Sequence, residues 1–324
     1  MRAIALTGVV AVMAAVSGCG EEDRPASAPV RVGYAAGFDA NDAAERVIYK
    51  RMEREGGPKV EMKELNGPQN AVTALLRGDI EVASMAHHTA TAAVAEGADI
   101  KLVLVGLRVP QWQLIARPGI DSPRELQGKK IAVFGLKTNT SALAAVALGE
   151  AGLSEDDAEL VAAGDSAERL VALERGKVDA AVLEYADLLN AGEKLSGYEN
   201  LGAPGKLSPI TAENVLAVSG KRLREKPDEV ERFLDGMLDG YAVIYGPAGR
   251  EAFVAESGKG PFLNGSDASA GKLYDYHRSI GIWPRRDRPY TAAEYAPLVR
   301  FWKRHGVVEK SAPFGELWDT SYWR

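Results

Sequence analysis

The chain is poor in thiols: of 324 residues only Cys19 is a cysteine, so no intramolecular disulfide framework can form. Histidine is scarce too, with four in all. Two of these, His87 and His88, are adjacent, but neighbouring side chains diverge on a strand or helix. No cysteine or carboxylate stands beside them at ligand spacing, which argues against a metal site. Positive charge is in deficit, with 39 Lys and Arg against 45 Asp and Glu and a net charge of -6. With no basic cluster interleaved with aromatics, the chain lacks the footprint that a nucleic-acid backbone requires. A membrane-spanning run is missing as well, because the apolar stretch over residues 3–16 falls short of the roughly 20 residues that cross a bilayer.

What that stretch does carry is the pattern of a secretion signal. Arg2 precedes it, and Val16-Ser17-Gly18-Cys19 follows at once, placing small residues ahead of the cysteine as a signal peptidase requires. Residues 1–18 are expected to be removed. Cys19 then resembles the residue that bacterial lipoproteins acylate after cleavage, the other reading being an incidental cysteine beside an ordinary signal. Residues 19–29 are polar and contain proline, as a flexible tether between membrane and folded domain would be.

The remaining length suits two domains of ordinary size, roughly 100 to 200 residues each. Val30-Arg31-Val32-Gly33-Tyr34 alternates like a strand, residues 36–42 form a Gly/Asp-rich turn, and a helix is predicted over 43–55. A second strand (60–65) and a helix opening at Pro68-Gln69-Asn70 follow, and this β, α, β, α order points to a mostly parallel sheet. Strands are predicted at 101–105, 112–117, 131–133 and 214–219, and helices at about 228–245 and 292–305 close the chain.

One unit occurs twice, over residues 71–83 and 167–182. In both, an amphipathic helix ends at a glycine suited to the left-handed cap (Gly78, Gly176), an acidic residue follows within three positions, and a short apolar strand begins. Two lobes of similar build are implied.

These residues resemble the family of solute-binding proteins for nitrate, sulfonate, taurine and thiamine-precursor importers, the SsuA/THI5-like or NMT1-like family. The resemblance is carried by Val32-Gly33-Tyr34, by Leu75-Leu76-Arg77-Gly78-Asp79-Ile80-Glu81-Val82-Ala83 and by Glu125-Leu126-Gln127-Gly128-Lys129-Lys130-Ile131-Ala132-Val133. Leu173-Glu174-Arg175-Gly176-Lys177-Val178-Asp179-Ala180-Ala181 and the ending Leu317-Trp318-Asp319-Thr320-Ser321-Tyr322 complete it. It implies an α/β, two-lobed periplasmic-binding-protein-like fold of type II, its lobes joined by two crossover strands, with a C-terminal helical cap. Lobe one is expected at 30–112 plus 212–324, lobe two at 113–211, and the crossovers near 111–114 and 209–214. The resemblance further implies a monomeric extracytoplasmic lipoprotein that needs no cofactor, binds no nucleic acid and does no catalysis. It would close by a hinge on a small organic or oxyanionic solute and hand it to an ABC permease, reaching the ATPase only through that permease. The alternatives are an enzyme on the same fold, such as a pyrimidine synthase, or a lipoprotein ligand sensor. Enzymes of that kind use cysteines inside the domain, and this chain has none there.

In open α/β sheets ligands sit beyond the carboxyl ends of strands, which singles out loops 34–41, 84–89, 135–141 and 184–187. The third holds Lys137, Thr138, Asn139 and Thr140 between a strand and an apolar helix, where free N–H groups attract anions and Thr or Asn either caps the helix or contacts the ligand. The second holds Ser84 and His87, the histidine read as a cleft-edge hydrogen bonder or as a packed residue. The fourth holds Glu184 and Tyr185. Tyr34, Phe38 and Trp112 are the aromatic contact candidates, while Trp283, Tyr290, Tyr295, Phe301, Trp302, Trp318, Tyr322 and Trp323 read better as packing of the cap than as a sugar platform. Lys137 favours an anion, and Asp39 with Glu184 favours an amine or heteroaromatic donor, so the chemical identity of the ligand stays open.

Overall fold

A computed structural model describes residues 28–257, 263 and 266–323. The expected signal sequence, Cys19 and the tether as far as residue 27 lie outside the described residues. Strands are numbered along the chain. The first sheet holds β1 (Val30–Tyr34), β2 (Val60–Glu64), β3 (Val82–Ala86), β4 (Ile100–Leu107) and β10 (Asn214–Ser219), in the order β2-β1-β3-β10-β4. The second holds β5 (Trp112–Ala116), β6 (Lys130–Val133), β7 (Glu159–Ala162), β8 (Ala180–Glu184) and β9 (Glu199–Asn200), in the order β7-β6-β8-β5-β9.

The two orders are the same pattern. In each sheet three strands run parallel, and the strand that has just crossed from the other lobe is inserted antiparallel beside the third: β10 between β3 and β4, β5 between β8 and β9. Leu114, expected within a crossover, is already the third residue of β5, so the first crossing occupies only residues 108–111. The insertion also fixes what meets at the rim. Trp112, the first residue of β5, pairs with Glu184, the last of β8, and Asn214 pairs with Ala86 in the same way.

The repeated unit has a mechanical reason. Helices α2 (Pro68–Arg77) and α5 (Ser166–Glu174) lead into β3 and β8 through Gly78 at φ +78° and Gly176 at φ +65°, a region that other residues enter at a cost. The acidic residue that follows then clamps the start of the parallel neighbour. Glu81 Oε2 accepts from the Arg31 main-chain N–H at 2.7 Å, and Asp179 Oδ2 accepts from that of Lys130 at 2.9 Å. Each pair is closed by a return bond, from the Glu81 N–H to the Arg31 carbonyl and from the Asp179 N–H to the Lys130 carbonyl.

Helix α1 (Ala43–Arg54) buries Ala44, Ile48 and Met52 at four-residue spacing against α8 (Pro227–Tyr245). Gly240 permits the close approach: a Cβ there would fall 2.5 Å from the Ile48 side chain. Helices α9 (Gly249–Ser257), α10 (Asp267–Ile280), α11 (Ala292–Arg304) and α12 (Phe314–Leu317) complete the cap, and Trp283, Tyr290, Tyr295, Phe301, Trp302, Trp318 and Trp323 are buried in the core of lobe one as its packing. In lobe two the sheet is covered on both faces. Leu114, Ile131, Val133 and Val182 face one layer and Ile115, Ala132, Ala181 and Leu183 the other, which is why these strands read as near-continuous apolar runs. One expected loop is absent: β3 runs through Ala86, and α3 (His87–Ala95) begins on the next residue.

Burial alone would raise the Glu81 carboxyl, but hydrogen bonds from Arg31 prevail and hold it below the usual carboxylate range. A depressed folded pKa contributes stability above the unfolded value, about 4.3, and loses it as pH falls through the lower folded value. Glu81→Gln should therefore lower the unfolding free energy at pH 7 by about 1 kcal/mol in urea titrations, solvent screening of the pair keeping the effect small, with the gap to the parent closing below about pH 4.

Candidate functional site

The lobes meet where the carboxyl ends of their parallel strands face each other. On lobe one, the turn after β1 is held by a reciprocal cap: Asp39 Oδ1 accepts from the Asn41 N–H at 2.6 Å while the Asp39 N–H donates to Asp42 Oδ2 at 2.9 Å. This cap holds Asn41 where its amide nitrogen donates across the cleft to Glu184 Oε2, at 2.8 Å. Asn41 is only 6% exposed, and its Oδ1 has no hydrogen-bond partner. Glu184 ends β8, its own N–H donating to Ser166 Oγ at 2.9 Å, and Asp187 lies in the first turn of α6 (Tyr185–Ala191).

The result is a crowded set of carboxyls. Burial, reinforced by the charges of Asp39 and Asp187, pushes Glu184 up to about 8, with Arg169 and Asn41 opposing. Burial likewise lifts Asp39 to about 6 against the hydrogen bonds from Asn41, and raises Asp187 above the usual range. Arg169 does not pair with them directly: its Nε donates to the Val182 carbonyl at 2.6 Å and its Nη1 to that of Gly164 at 2.7 Å.

Other expected residues fall elsewhere. The Tyr34 hydroxyl is committed within lobe one, bonded to Glu45 and 3.0 Å from the Tyr49 hydroxyl, with Phe38 edge-on at 5.3 Å. His87 stands away from the cleft edge: it is fully buried among the rings of Tyr290, Tyr295, Trp302 and Trp318. Its Nδ1 reaches the Ala212 carbonyl at 3.2 Å and its Nε2 accepts from Trp318, and burial lowers it to about 3, so it stays neutral. Ser84 donates to Asn214 Oδ1 at 3.0 Å.

In the third loop the hydroxyls are used by the turn itself. Thr138 Oγ1 donates to the Gly135 carbonyl at 2.8 Å, and Thr140 Oγ1 accepts from the Phe134 N–H at 2.9 Å. Lys137 is 72% exposed and reaches Glu309 at 3.4 Å on the outside. Asn139, the first residue of α4 (Asn139–Glu150), instead bridges the lobes: its Nδ2 donates to Glu213 Oε2 at 2.9 Å and its Oδ1 accepts from Trp302 Nε1 at 2.7 Å. A third bridge joins Tyr276 of α10 to Gln113 at 2.8 Å and to the Tyr185 ring, centroids 4.1 Å apart.

Asn41, Asp187, Glu213 and Tyr276 were not among the residues expected at the site. Asn41 and Asp187 end two of the four expected loops, so their place was marked. Tyr276 lies 163 residues from Gln113 and had no local signal.

Two lobes of one topology, joined by two crossing segments and touching through their strand ends, are the two-lobed periplasmic-binding-protein fold of type II. The chain belongs to the NMT1/THI5-like family, whose model matches residues 54–248. The taurine-binding periplasmic protein of Escherichia coli K12 is 26% identical over 191 residues, 57% of this chain, and the match spans 58% of that relative's length. Among solved structures, the ligand binding component of an ABC-type import system from Staphylococcus aureus, with zinc bound, superposes with a TM-score of 0.73 at 16% identity, covering 91% of this chain and 97% of that one. The periplasmic aliphatic sulphonate binding protein SsuA of Escherichia coli does so with a TM-score of 0.68 at 19% identity, covering 90% and 92%. At these identities the structural likeness is one of fold.

Because the folded pKa of Glu184 is raised, its contribution to stability is fully present below the unfolded value near 4.3 and is lost as pH rises through about 8. Thermal unfolding of the parent should accordingly show a falling Tm between pH 5 and 8. Glu184→Gln should flatten that slope; an unchanged slope would mean that the carboxyl is solvated.

Proposed function

We propose that this chain is the extracytoplasmic solute-binding lipoprotein of an ABC importer, held to the membrane by lipid on Cys19. Its two lobes close on a small solute as a monomer and present it to a permease. The observation that carries this reading is the bond from Asn41 to Glu184, which joins the loop after the first strand of one lobe to the end of the third strand of the other. Closure brings such a pair together and opening separates it, as hinge motion about two short crossings allows. Family membership, the taurine-binding relative and the fold of the sulphonate-binding and import-system proteins support the same role. Sulfonates, nitrate, taurine and thiamine-precursor pyrimidines are the solute types that the sequence resemblance suggests.

Binding without turnover follows from the same family reading, and the chain's one cysteine stands at position 19, ahead of both lobes, so cysteine chemistry has no residue in the cleft. Two measurements test the proposal. In its own host Cys19→Ala should release the chain from the membrane fraction, and retention would remove the lipid anchor from the proposal. A solute at a hundredfold excess over its Kd should add about 2.7 kcal/mol of stability, a rise of several degrees in Tm, and be recovered chemically unchanged. Conversion of the solute would replace binding by catalysis.

A further inference from the structure

Resting on the solute-binding reading, the side chains of the cleft go on to specify the charge of the solute. The cations nearest the cleft are engaged elsewhere. Lys137 points outward to Glu309, and Arg169 donates to the Val182 and Gly164 carbonyls. Arg46 reaches the Asp39 carbonyl at 3.3 Å and the carboxylates of Asp42 and Glu256. Nor do the Thr138 and Thr140 hydroxyls serve an oxyanion, since both are bonded inside their own turn.

What faces the cleft is mostly a set of acceptors, the unpartnered indole N–H of Trp112 being a donor among them. Asp39 brings a carboxyl from the turn after β1, Glu184 and Asp187 bring two from the junction of β8 and α6, and the carboxamide of Asn41, more than nine-tenths buried, lies against Glu184 with its Oδ1 unpartnered. A buried acceptor without a donor is destabilising, so an occupant that supplies N–H groups is favoured over one that brings more oxygens. Trp112 stands opposite Glu184 in the antiparallel β5–β8 pair, so the two side chains leave the same face of the sheet and offer an aromatic surface beside the carboxyl. Among the described residues no group of three or more His, Cys, Asp or Glu is placed to hold a metal ion. Acceptors spread in this way suit several N–H groups on one organic frame better than a single point charge.

We propose that the cleft takes a small organic cation, a protonated amine or amidine, whose N–H groups are received by Asp39, Asn41, Glu184 and Asp187 beside Trp112. Binding has a proton signature. A cation favours the ionised form of Glu184, which Asp39 and Asp187 oppose and Arg169 and Asn41 assist, so the carboxyl gives up its proton as the cation docks. Affinity for a cation therefore rises with pH between about 6 and 8, whereas affinity for an anion falls over that range.

Calorimetry on the mature chain with benzamidine, n-butylamine, ethanesulfonate, nitrate and zinc chloride, from pH 6 to 8.5 and in two buffers of different ionisation enthalpy, tests this. The expected result is saturable binding of an amine or the amidine, with proton release and severalfold tighter binding at the higher pH. Glu184→Gln and Asp39→Asn should each weaken that binding at least tenfold, while Glu184→Gln leaves the Tm of the unbound protein at pH 7.5 equal or higher. A merely structural carboxyl would lower that Tm on substitution. The proposal is overturned if only the sulfonate, nitrate or zinc binds, if no cation binds, or if Glu184→Gln binds the cation as tightly as the parent. Native mass spectrometry separates the two claims: a non-covalent small molecule carried from the host keeps the solute-binding reading whatever its charge. A chain that carries no such molecule and binds no probe overturns both.

Discussion

The architecture depends on one constraint, the antiparallel insertion of each crossing strand beside the third parallel strand of its new sheet. A strand that crosses must start at the rim, and its first residue is thereby paired with the last residue of a strand arriving at that rim. Trp112 is set against Glu184 and Asn214 against Ala86 by this rule alone. Since both lobes obey it, the carboxyl ends of two parallel sheets are brought face to face with only four residues of crossing chain on one side. The helical cap serves the same end by filling lobe one up to the rim, so that α10 and α11 can reach across with Tyr276 and Trp302.

A buried carboxyl and a half-buried one show how differently the same group can be treated. Glu45 lies inside lobe one and receives hydroxyls from both Tyr34 and Tyr241; burial still raises it, but these donors oppose the shift. Glu184 lies between the lobes, where one amide from Asn41 must serve against two neighbouring carboxyls. The first arrangement is satisfied by the chain and is part of the packing. The second is under-supplied with donors, and such a shortfall at a rim marks a place where chemistry from outside the chain is wanted.

What could be read along the chain was whatever its own neighbours in sequence determine. The alternation of Val30–Tyr34, the left-handed glycines 78 and 176 with their acidic partners, and the apolar spacing of α8 and α11 are all local, and each element lies where that patterning put it. The aromatic tail was legible as packing because it accompanies the helices of the cap, and Tyr295, Phe301 and Trp302 lie on α11 itself. The fate of individual polar groups was not legible, because it depends on partners far away. His87 could be read as a rim residue or as a packed one, and rings from positions 290 to 318 close over it. Asn139 was rightly placed at a helix start, yet its partners, Glu213 and Trp302, stand 74 and 163 positions further on. Thr138 and Thr140 satisfied the turn first, as short-range bonds do when they compete with a ligand for the same hydroxyl.

Contacts between the lobes, at Asn41, at Asn139, at Tyr276 and in the pairs Lys137–Glu309 and His305–Glu155, come from separate elements of the chain. A rotation that opens one of them stretches the others, and a stretched hydrogen bond in a half-dry gap is worth less than one made to water. Intermediate angles are thus the least comfortable ones. Under the proposed hinge closure the molecule would be a latch with two positions, and what it reported to its surroundings would be a yes or a no about its contents rather than a measure of how well they fit.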